Sequence, residues 1–178
     1  MFQDAVILVA GGTGSCGTEL VRKLLELKAK KIIVFSRNET SHVQMKRMME
    51  DPRLSFCIGD IRDREALIKS RKGVDYVFHL AALKHVPVCE EQPLEALKTN
   101  VIGTQNVIEA AIINKVKKVI NISTDKAANP INFYGMTKAI AEKLTVYANK
   151  ICSQTKSINV RSGNILGTNG SVLQLFKD

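Results

Sequence analysis

The feature that most constrains this chain is a run of closely spaced glycines after its first apolar stretch. Residues 6–10 have the composition of a buried strand, and helical periodicity begins soon after residue 17. In a strand–turn–helix setting, Gly11 permits the tight turn, Gly14 lets a pyrophosphate approach the backbone, and Gly17 lets the helix pack on the strand. The spacing predicts a dinucleotide-phosphate site that includes Gly11, Thr13, Gly14, Ser15, Cys16 and Gly17.

The rest of the chain repeats this alternation of short β-branched runs and amphipathic segments. Strands are expected at 6–10, 31–35, 54–58, 76–80, 118–122 and 158–161, and helices at 18–27, 41–50, 64–72, 93–114 and 133–150. The alternation predicts an α/β fold, a doubly wound parallel sheet with helices on both faces. No linker or repeat interrupts it, so residues 1–178 are expected to form one nucleotide-binding domain of the Rossmann type.

Charge and composition narrow the class of partner. The net charge of +9 favours anionic partners, among them ligands that carry phosphates. With 5% aromatic residues and no RNA-binding signature, nucleic acid is not an expected partner. No apolar run approaches the roughly 20 residues of a membrane span, and the amino terminus lacks the pattern of a signal peptide. A cytoplasmic protein without a membrane segment is therefore expected.

The four cysteines and three histidines do not show the spacing of a metal site. The cysteines are expected to be buried reduced thiols, and no metal is expected. His79 is interpreted as a core residue, His42 as part of a solvated helix face, and His85 as a packing or hydrogen-bonding residue of a loop.

Residues that follow the second and third strands indicate which dinucleotide would bind. Ser36 and Arg37 stand where NAD-binding domains place an acidic residue for the ribose diol, and an arginine there favours the 2′-phosphate of NADP, with NAD left possible. After the third strand, Asp60 could accept from the adenine amino group while Ile61 covers the ring. Asp63 is expected to cap the next helix.

Further residues of the predicted site follow the fourth strand. Ala81 and Ala82 offer small side chains beside the cofactor, and Lys84 places a cation in the same crevice. A buried Asn100 within the next helix needs hydrogen-bond partners, either the cofactor region or the neighbouring loops.

The predicted chemical centre begins with Ser123, Thr124, Asp125 and Lys126 and continues in the next helix. Tyr134 and Lys138 are one helical turn apart on the same face. For a tyrosine to act as a base near pH 7, its pKa must fall by about three units, roughly 4 kcal/mol. The Lys138 ammonium and an oxidised nicotinamide could supply that shift. Ser123 or Thr124 could hold the reacting hydroxyl.

Taken together, these segments resemble the extended short-chain dehydrogenase/reductases. More narrowly, the chain looks like the inverting UDP-N-acetylglucosamine 4,6-dehydratases and related bacterial polysaccharide-biosynthesis proteins, in the segments GGTGSCG, SRNE, GDIRD, AALKHVP, KTNVIGTQNV, STDKAANPINFYGMTK and RSGNILGTNGSV. The most diagnostic of these is STDKAANPINFYGMTK, because it carries an aspartate and a lysine where other extended members have different acid and base residues.

The resemblance implies a reaction and a set of roles. Tyr134, supported by Lys138, would remove the C4 hydroxyl proton of a UDP-sugar while hydride passes to NADP. Lys126 with Asp125 would then assist loss of the C5 proton and of the C6 hydroxyl. The resemblance also implies cofactor contacts from Asn100, Ser123, Tyr134 and Lys138, and sugar contacts from Lys84, Thr124 and Asn164.

The same resemblance leaves the organisation of the active protein open. Family members are longer, so the chain is expected to be truncated before the part that completes the sugar pocket. A homo-oligomer is expected, joined through the helix at 93–114 or the helix of Tyr134. A UDP-sugar 4-epimerase and a non-catalytic cofactor-binding module are the alternatives to the dehydratase.

Overall fold

The computed structural model describes residues 2–70, 72–165 and 167. These residues form a six-stranded parallel sheet in the order β3-β2-β1-β4-β5-β6. The strands are β1 Val6–Ala10, β2 Lys31–Ser36, β3 Leu54–Ile58, β4 Tyr76–His79, β5 Lys118–Thr124 and β6 Lys156–Ser162. The sheet order reverses between β1 and β4, and the predicted doubly wound fold is confirmed.

Seven α-helices within the described residues connect the strands. They are α1 Ser15–Glu26, α2 Glu39–Met49, α3 Arg64–Ser70, α4 Val86–Glu91, α5 Pro93–Ala96, α6 Gly103–Ile113 and α7 Phe133–Ile151. A π-helical turn, Leu97–Ile102, joins α5 to α6, and a 3-10 turn, Asp125–Ala127, follows β5.

Each face of the sheet has its own apolar core, and β1 contributes to both. Leu8 lies on the face covered by α3 and α6, where it belongs to a cluster with Leu67 and Val107. Ile7 lies on the other face, in a cluster with Leu24 of α1 and further apolar residues of α1 and α2. Alternate residues of a strand point to opposite faces, so an uninterrupted apolar run is what a central strand requires.

The largest departure from the predicted elements is at residues 86–114. The single helix expected at 93–114 is divided into α5, the π-helical turn and α6, and it is preceded by α4, which was not predicted. Within the π-helical turn each hydrogen bond spans one residue more than in an α-helix. This shift does not alter the spacing of the apolar residues, so the sequence does not reveal it. Strand β6 is also longer than expected at both ends.

The expectation of buried cysteines is wrong for three of the four. Cys89 is buried, whereas Cys16, Cys57 and Cys152 are partly exposed, and all four thiols are free. Cys16 lies in the first turn of α1, Cys57 on the edge strand β3, and Cys152 just after the end of α7. The apolar residues next to these cysteines in sequence therefore do not predict whether the thiols are buried.

Apolar side chains are exposed along one side of α7. Met136, Ile140, Tyr147 and Ile151 are each between 45% and 60% exposed. Their positions recur at helical spacing and face away from β5 and β6. Assembly through this helix stays a prediction.

Truncation of Leu8 tests the importance of the central strand. We expect Leu8→Ala to lower the free energy of unfolding by about 2–5 kcal/mol, because the fully buried side chain leaves a cavity. Leu94→Ala, at a side chain that is 71% exposed, is the matched control and should change it by less than about 0.5 kcal/mol. Urea unfolding followed by circular dichroism measures both, and equal effects would contradict this account of the core.

Candidate active site

A cleft of about 330 Å³ opens at the carboxyl edge of the sheet, where the glycine loop meets the ends of β2, β3 and β4. It brings together most of the residues predicted to bind a cofactor: Gly11, Thr13, Gly14, Ser15, Cys16, Gly17, Ser36, Arg37, Asp60, Ile61, Ala81, Ala82 and Lys84. Five further lining residues had not been assigned to the predicted site, namely Phe35, Asn38, Gly59, Leu80 and Thr99. Four of these are sequence neighbours of predicted residues at the strand ends, and this adjacency could have identified them.

The glycine loop fits a dinucleotide pyrophosphate. Gly11 has φ +81°, donates its N–H to the Phe35 carbonyl at 2.8 Å, and a Cβ there would lie 2.6 Å from the Ala81 nitrogen. A Cβ on Gly14 would have only the Gly11 oxygen nearby, at 3.5 Å, so the surface at Gly14 is open to an approaching ligand. Helix α1 begins at the next residue, Ser15, and its amino end favours an anion there.

The hydroxyl of Ser36 has two side-chain partners at the end of β2. Thr13 Oγ1 donates to Ser36 Oγ at 3.1 Å, and His42 Nε2 lies 2.6 Å from the same oxygen. His42 is only 4% exposed, so its interpretation as part of a solvated helix face is wrong. The first turn of α2 carries the ring inward onto Phe56, and burial lowers the pKa of His42 below its usual value.

Charged residues line the cleft beyond Ser36. The Asp60 carboxylate accepts hydrogen bonds from Arg62 Nε and Nη2 at 2.9 and 2.6 Å. Burial opposes ionisation of Asp60, but these hydrogen bonds and the charges of Arg62 and Arg37 hold its pKa below the usual value. Asp63 accepts from the Ala66 N–H at 3.0 Å, which confirms it as a helix cap.

Asn100 links the cleft to the helix of the predicted catalytic tyrosine. Its side-chain oxygen accepts from Leu83 N at 2.8 Å, and its amide nitrogen donates to Leu83 O at 2.9 Å and to Thr137 Oγ1 at 3.0 Å. The residue is 1% exposed. Asn100 therefore ties the loop after β4 to α7, as one of the two interpretations expected, while its contact with a cofactor stays a prediction.

The second group of predicted residues lies at the end of β5. Thr124 donates to Asp125 Oδ1 at 2.9 Å, and Lys126 Nζ lies 3.3 Å from both Asp125 Oδ1 and Asn164 Oδ1. The Thr124 hydrogen bond, followed by that of Lys126, lowers the pKa of the exposed Asp125 carboxyl. An ionised carboxylate and a lysine amine are thus held side by side. Ser123 precedes them and is buried.

Tyr134 and Lys138 lie on one face of α7, but the Lys138 ammonium is not directed to the Tyr134 phenol as expected. Lys138 Nζ donates to the Ile122 carbonyl at 2.6 Å. Burial raises the pKa of Tyr134, a hydrogen bond with Thr124 opposes the rise, and the charges of Cys89 and Asp125 add to it. The pKa-lowering effect expected from the Lys138 ammonium is therefore not seen, because that ammonium is directed to β5.

Two residues that sequence reasoning missed accompany Lys138. Glu142, one turn further along α7, accepts from Arg161 Nε and Nη2 at 2.8 and 2.7 Å. Burial lowers the pKa of Lys138 from 10.5 to about 8, and the Glu142 charge opposes that change. The four-residue spacing of Tyr134, Lys138 and Glu142 was the available signal.

No group of three His, Cys, Asp or Glu side chains in the described ranges is placed to hold a metal ion. Within the same ranges, no helix has both the length and the apolar content of a membrane span.

Comparison with known families decides the family. Residues 7–178 match the family described as "Polysaccharide biosynthesis protein". The chain belongs to this family. The predicted resemblance to the extended short-chain dehydrogenase/reductases is confirmed by relatives and solved structures of that kind.

Named relatives of this family member carry different activities. A Campylobacter jejuni UDP-N-acetylglucosamine 4,6-dehydratase (inverting) is 47% identical over 180 residues, which cover 99% of this chain and 54% of the relative. A UDP-glucose 4-epimerase of Rickettsia akari is 45% identical over 182 residues, covering 99% and 53%. An uncharacterized membrane protein of Methanocaldococcus jannaschii is 49% identical over 179 residues, covering 99% and 54%. The chain thus spans about half the length of these relatives.

Solved structures agree with the fold. The X-ray structure of Pen from Bacillus thuringiensis has a TM-score of 0.96 and 44% identity, and the match covers 99% of this chain and 55% of that one. DesIV, a dTDP-glucose 4,6-dehydratase from Streptomyces venezuelae with NAD bound, has a TM-score of 0.75 and 29% identity, with 82% and 52% covered.

Two glycines of the loop should respond differently to substitution by alanine. A Cβ at Gly17 would lie 2.6 Å from backbone atoms of Gly11 and Gly12, so Gly17→Ala should lower the free energy of unfolding by about 1–3 kcal/mol. Gly14→Ala is the matched control and should be nearly neutral, because its Cβ makes only an ordinary contact. Urea unfolding checks both values, and a tolerated Gly17→Ala would contradict the close packing of α1 on the loop.

The lowered pKa of Lys138 has a consequence for stability in alkaline solution. Between its folded value of about 8 and the usual 10.5, the unfolded chain holds a proton that the folded chain has released. Unfolding free energy should therefore rise with pH across this window relative to Lys138→Met, which lacks the group. Parallel urea titrations from pH 7 to 11 measure the difference, and a flat difference would contradict the shift.

Proposed function

We propose that this chain provides the cofactor-binding and catalytic residues of an NADP-dependent lyase that converts UDP-N-acetylglucosamine to its 4-keto-6-deoxy product by 4,6-dehydration. The observation that carries the proposal is the Asp125–Lys126 pair, held 3.3 Å apart at the end of β5 beside Thr124 and the phenol of Tyr134. Oxidation of an alcohol needs one base, whereas elimination of water needs a second group that accepts one proton and a further group that donates another.

The cleft supports a dinucleotide that carries a 2′-phosphate. Arg37 lies exposed at the end of β2, where a guanidinium suits a phosphate, and Asp60 is already held by Arg62. Solved relatives such as DesIV bind NAD, and NAD is the alternative cofactor here. The chemistry that a bound nicotinamide supplies is reversible acceptance of a hydride.

Tyr134 would take the C4 hydroxyl proton in the first step. Burial and neighbouring negative charge keep its phenol protonated in the structure, so the required fall in its pKa has to come from positive charge that arrives with the cofactor. Lys138 holds the Ile122 carbonyl and so fixes α7 against β5, which places the phenol beside Thr124. Thr124 orients the reacting hydroxyl.

Asp125 and Lys126 would carry the second step. With a ketone at C4, the C5 proton becomes acidic and is accepted by one member of this pair. The other member donates a proton to the departing C6 hydroxyl, so one water leaves and a carbon–carbon double bond forms between C5 and C6. Addition of a hydride at C6, which a bound nicotinamide would supply, and of a solvent proton at C5 would then yield the 6-deoxy sugar.

The proposal also covers how the sugar nucleotide is held. Thr124 and Asn164 flank Lys126, and Lys84 lines the cleft, so these three residues are assigned to the substrate. Since the relatives are about twice as long as the matched chain, residues 1–178 are assigned to the NADP-binding domain and the remaining sugar contacts to chain beyond it.

A UDP-sugar 4-epimerase is the second candidate, and one comparison favours it. The Rickettsia akari relative of that name is almost as similar to this chain as the dehydratase of Campylobacter jejuni. Epimerisation would use Tyr134 and Lys138 and would need no chemistry from Asp125 or Lys126.

Mass spectrometry of UDP-N-acetylglucosamine incubated with the chain and NADP in deuterated water tests the proposal. A product that has lost one water and gained solvent deuterium is expected. Lys126→Ala should abolish that product by removing the proton-transferring amine. The matched control is Lys98→Ala, at an exposed lysine paired with Glu95, which should leave turnover unchanged.

The remaining outcomes separate the alternatives. An isomeric sugar of unchanged mass, formed equally by Lys126→Ala, would establish the epimerase. An unchanged sugar despite bound cofactor, even when the carboxyl-terminal part of a longer relative is supplied, would contradict catalysis by this chain and leave a cofactor-binding module.

A further inference from the structure

Three side chains at the carboxyl end of β2 form a hydrogen-bonded group. Thr13 comes from the glycine loop, Ser36 from the end of β2, and His42 from the first turn of α2. Thr13 Oγ1 lies 3.1 Å from Ser36 Oγ, and His42 Nε2 lies 2.6 Å from it. Both hydroxyl residues line the cleft, whereas His42 stands behind them and is buried.

The surroundings of His42 favour one form of its ring. Among the described residues, its buried Nδ1 has no hydrogen-bond partner, and the Phe56 ring lies 5.4 Å away, centroid to centroid. A buried N–H without a partner is rarer in proteins than an acceptor without one, so the proton belongs on Nε2. Burial also lowers the pKa of His42, which keeps the ring neutral near pH 7.

The protonation state of His42 Nε2 determines whether the two hydroxyls keep a free proton. When His42 Nε2–H donates to Ser36, the bond between Thr13 and Ser36 uses one hydroxyl proton and leaves the other free. When Nε2 instead accepts from Ser36, Thr13 donates to Ser36 and no hydroxyl proton remains. The result does not depend on which hydroxyl donates to the other.

We propose that His42 is a specificity-determining positioning residue, whose Nε2–H occupies Ser36 Oγ and keeps the free hydroxyl proton of the Thr13–Ser36 pair directed toward the cleft, and so selects a phosphate over a hydroxyl pair at the adenosine ribose. This inference rests on the proposed binding of a nicotinamide dinucleotide. It adds the residue that distinguishes the 2′-phosphate from the free diol.

The other polar groups of this cleft region point to the same ligand chemistry. A ribose diol is recognised by a carboxylate that accepts its two hydroxyls. Among the described cleft-lining residues, Asp60 is the carboxylate, and it already accepts from Arg62. A hydroxyl donor and the Arg37 guanidinium form a set of donors, which matches a phosphate that only accepts.

Binding of NADP⁺ and NAD⁺ to the wild type and five variants, measured by isothermal titration calorimetry, tests the proposal. His42→Met leaves the free hydroxyl proton in the pair but removes the N–H that occupies Ser36 Oγ and keeps that proton turned toward the cleft, so it should reduce the preference for NADP⁺ by up to about tenfold, the value of one hydrogen bond to a charged group. His42→Gln can donate from its amide and should retain the preference. His79→Gln is the matched control, since it replaces another buried histidine that contacts a hydroxyl, that of Thr104 at 3.0 Å, and it should leave the ratio unchanged.

A double variant distinguishes positioning from general damage to the fold. Ser36→Ala should reduce the preference as His42→Met does, and the two together should reduce it no further, because His42 acts through Ser36. Equal weakening of both cofactors by His42→Met, or additive effects of the two substitutions, would overturn the proposal.

A second measurement needs no ligand. The imidazole ¹⁵N shifts of His42 in the wild type, obtained from long-range ¹H–¹⁵N correlation, should show a protonated Nε2 and a bare Nδ1. The opposite tautomer would overturn the inference even if NADP⁺ binds. A wild type that binds neither dinucleotide would instead contradict the proposed function, and the tautomer would still report on the proton arrangement.

Discussion

The side chain of Asn100 holds the two halves of the site in register. Its three hydrogen bonds reach both backbone groups of Leu83 and the hydroxyl of Thr137, so the loop that follows β4 and the helix that carries Tyr134 share one fixed point. The amide is fully enclosed, and a buried amide with a missing partner would cost about 1–3 kcal/mol. The π-helical turn directs the Asn100 side chain inward, since Asn100 and Thr99 both lie within the turn and both are buried.

Helix α7 meets the sheet through polar contacts rather than an apolar seam. Lys138 reaches a backbone carbonyl of β5, Glu142 pairs with Arg161 of β6, and Asn149 bonds both backbone groups of Ser157. Directional contacts fix the rotation and height of a helix more narrowly than apolar packing does, at the expense of burying an ammonium. The lowered pKa of Lys138 reflects the free energy lost on burying its charge. The position of Tyr134 depends on the contact that Lys138 makes with β5.

The sequence was sufficient for the sheet and for most of the cleft because parallel strands end at one edge. Once the strand at residues 31–35 is recognised, Ser36 and Arg37 must lie beside the glycine loop. Three features could not be predicted from where the strands end. The burial of His42 depends on how far α2 rotates toward Phe56, and the pair of Glu142 with Arg161 joins residues 19 positions apart. The π-helical turn changes hydrogen-bond partners without changing which residues are apolar.

The position of β1 has a consequence for how the molecule is made. Strand β1 is a central strand that leaves the ribosome before its partners, and it pairs with β2 on one side and with β4 on the other. Val6 donates to the carboxylate of Asp75, 69 residues later, so one side of β1 stays open until that part of the chain has been synthesised. Long-range parallel pairing of this kind folds slowly and exposes apolar edges meanwhile. A nascent chain in which β4 has not yet been synthesised therefore leaves Ile7 and Leu8 uncovered, and apolar surface of that kind is what chaperones bind.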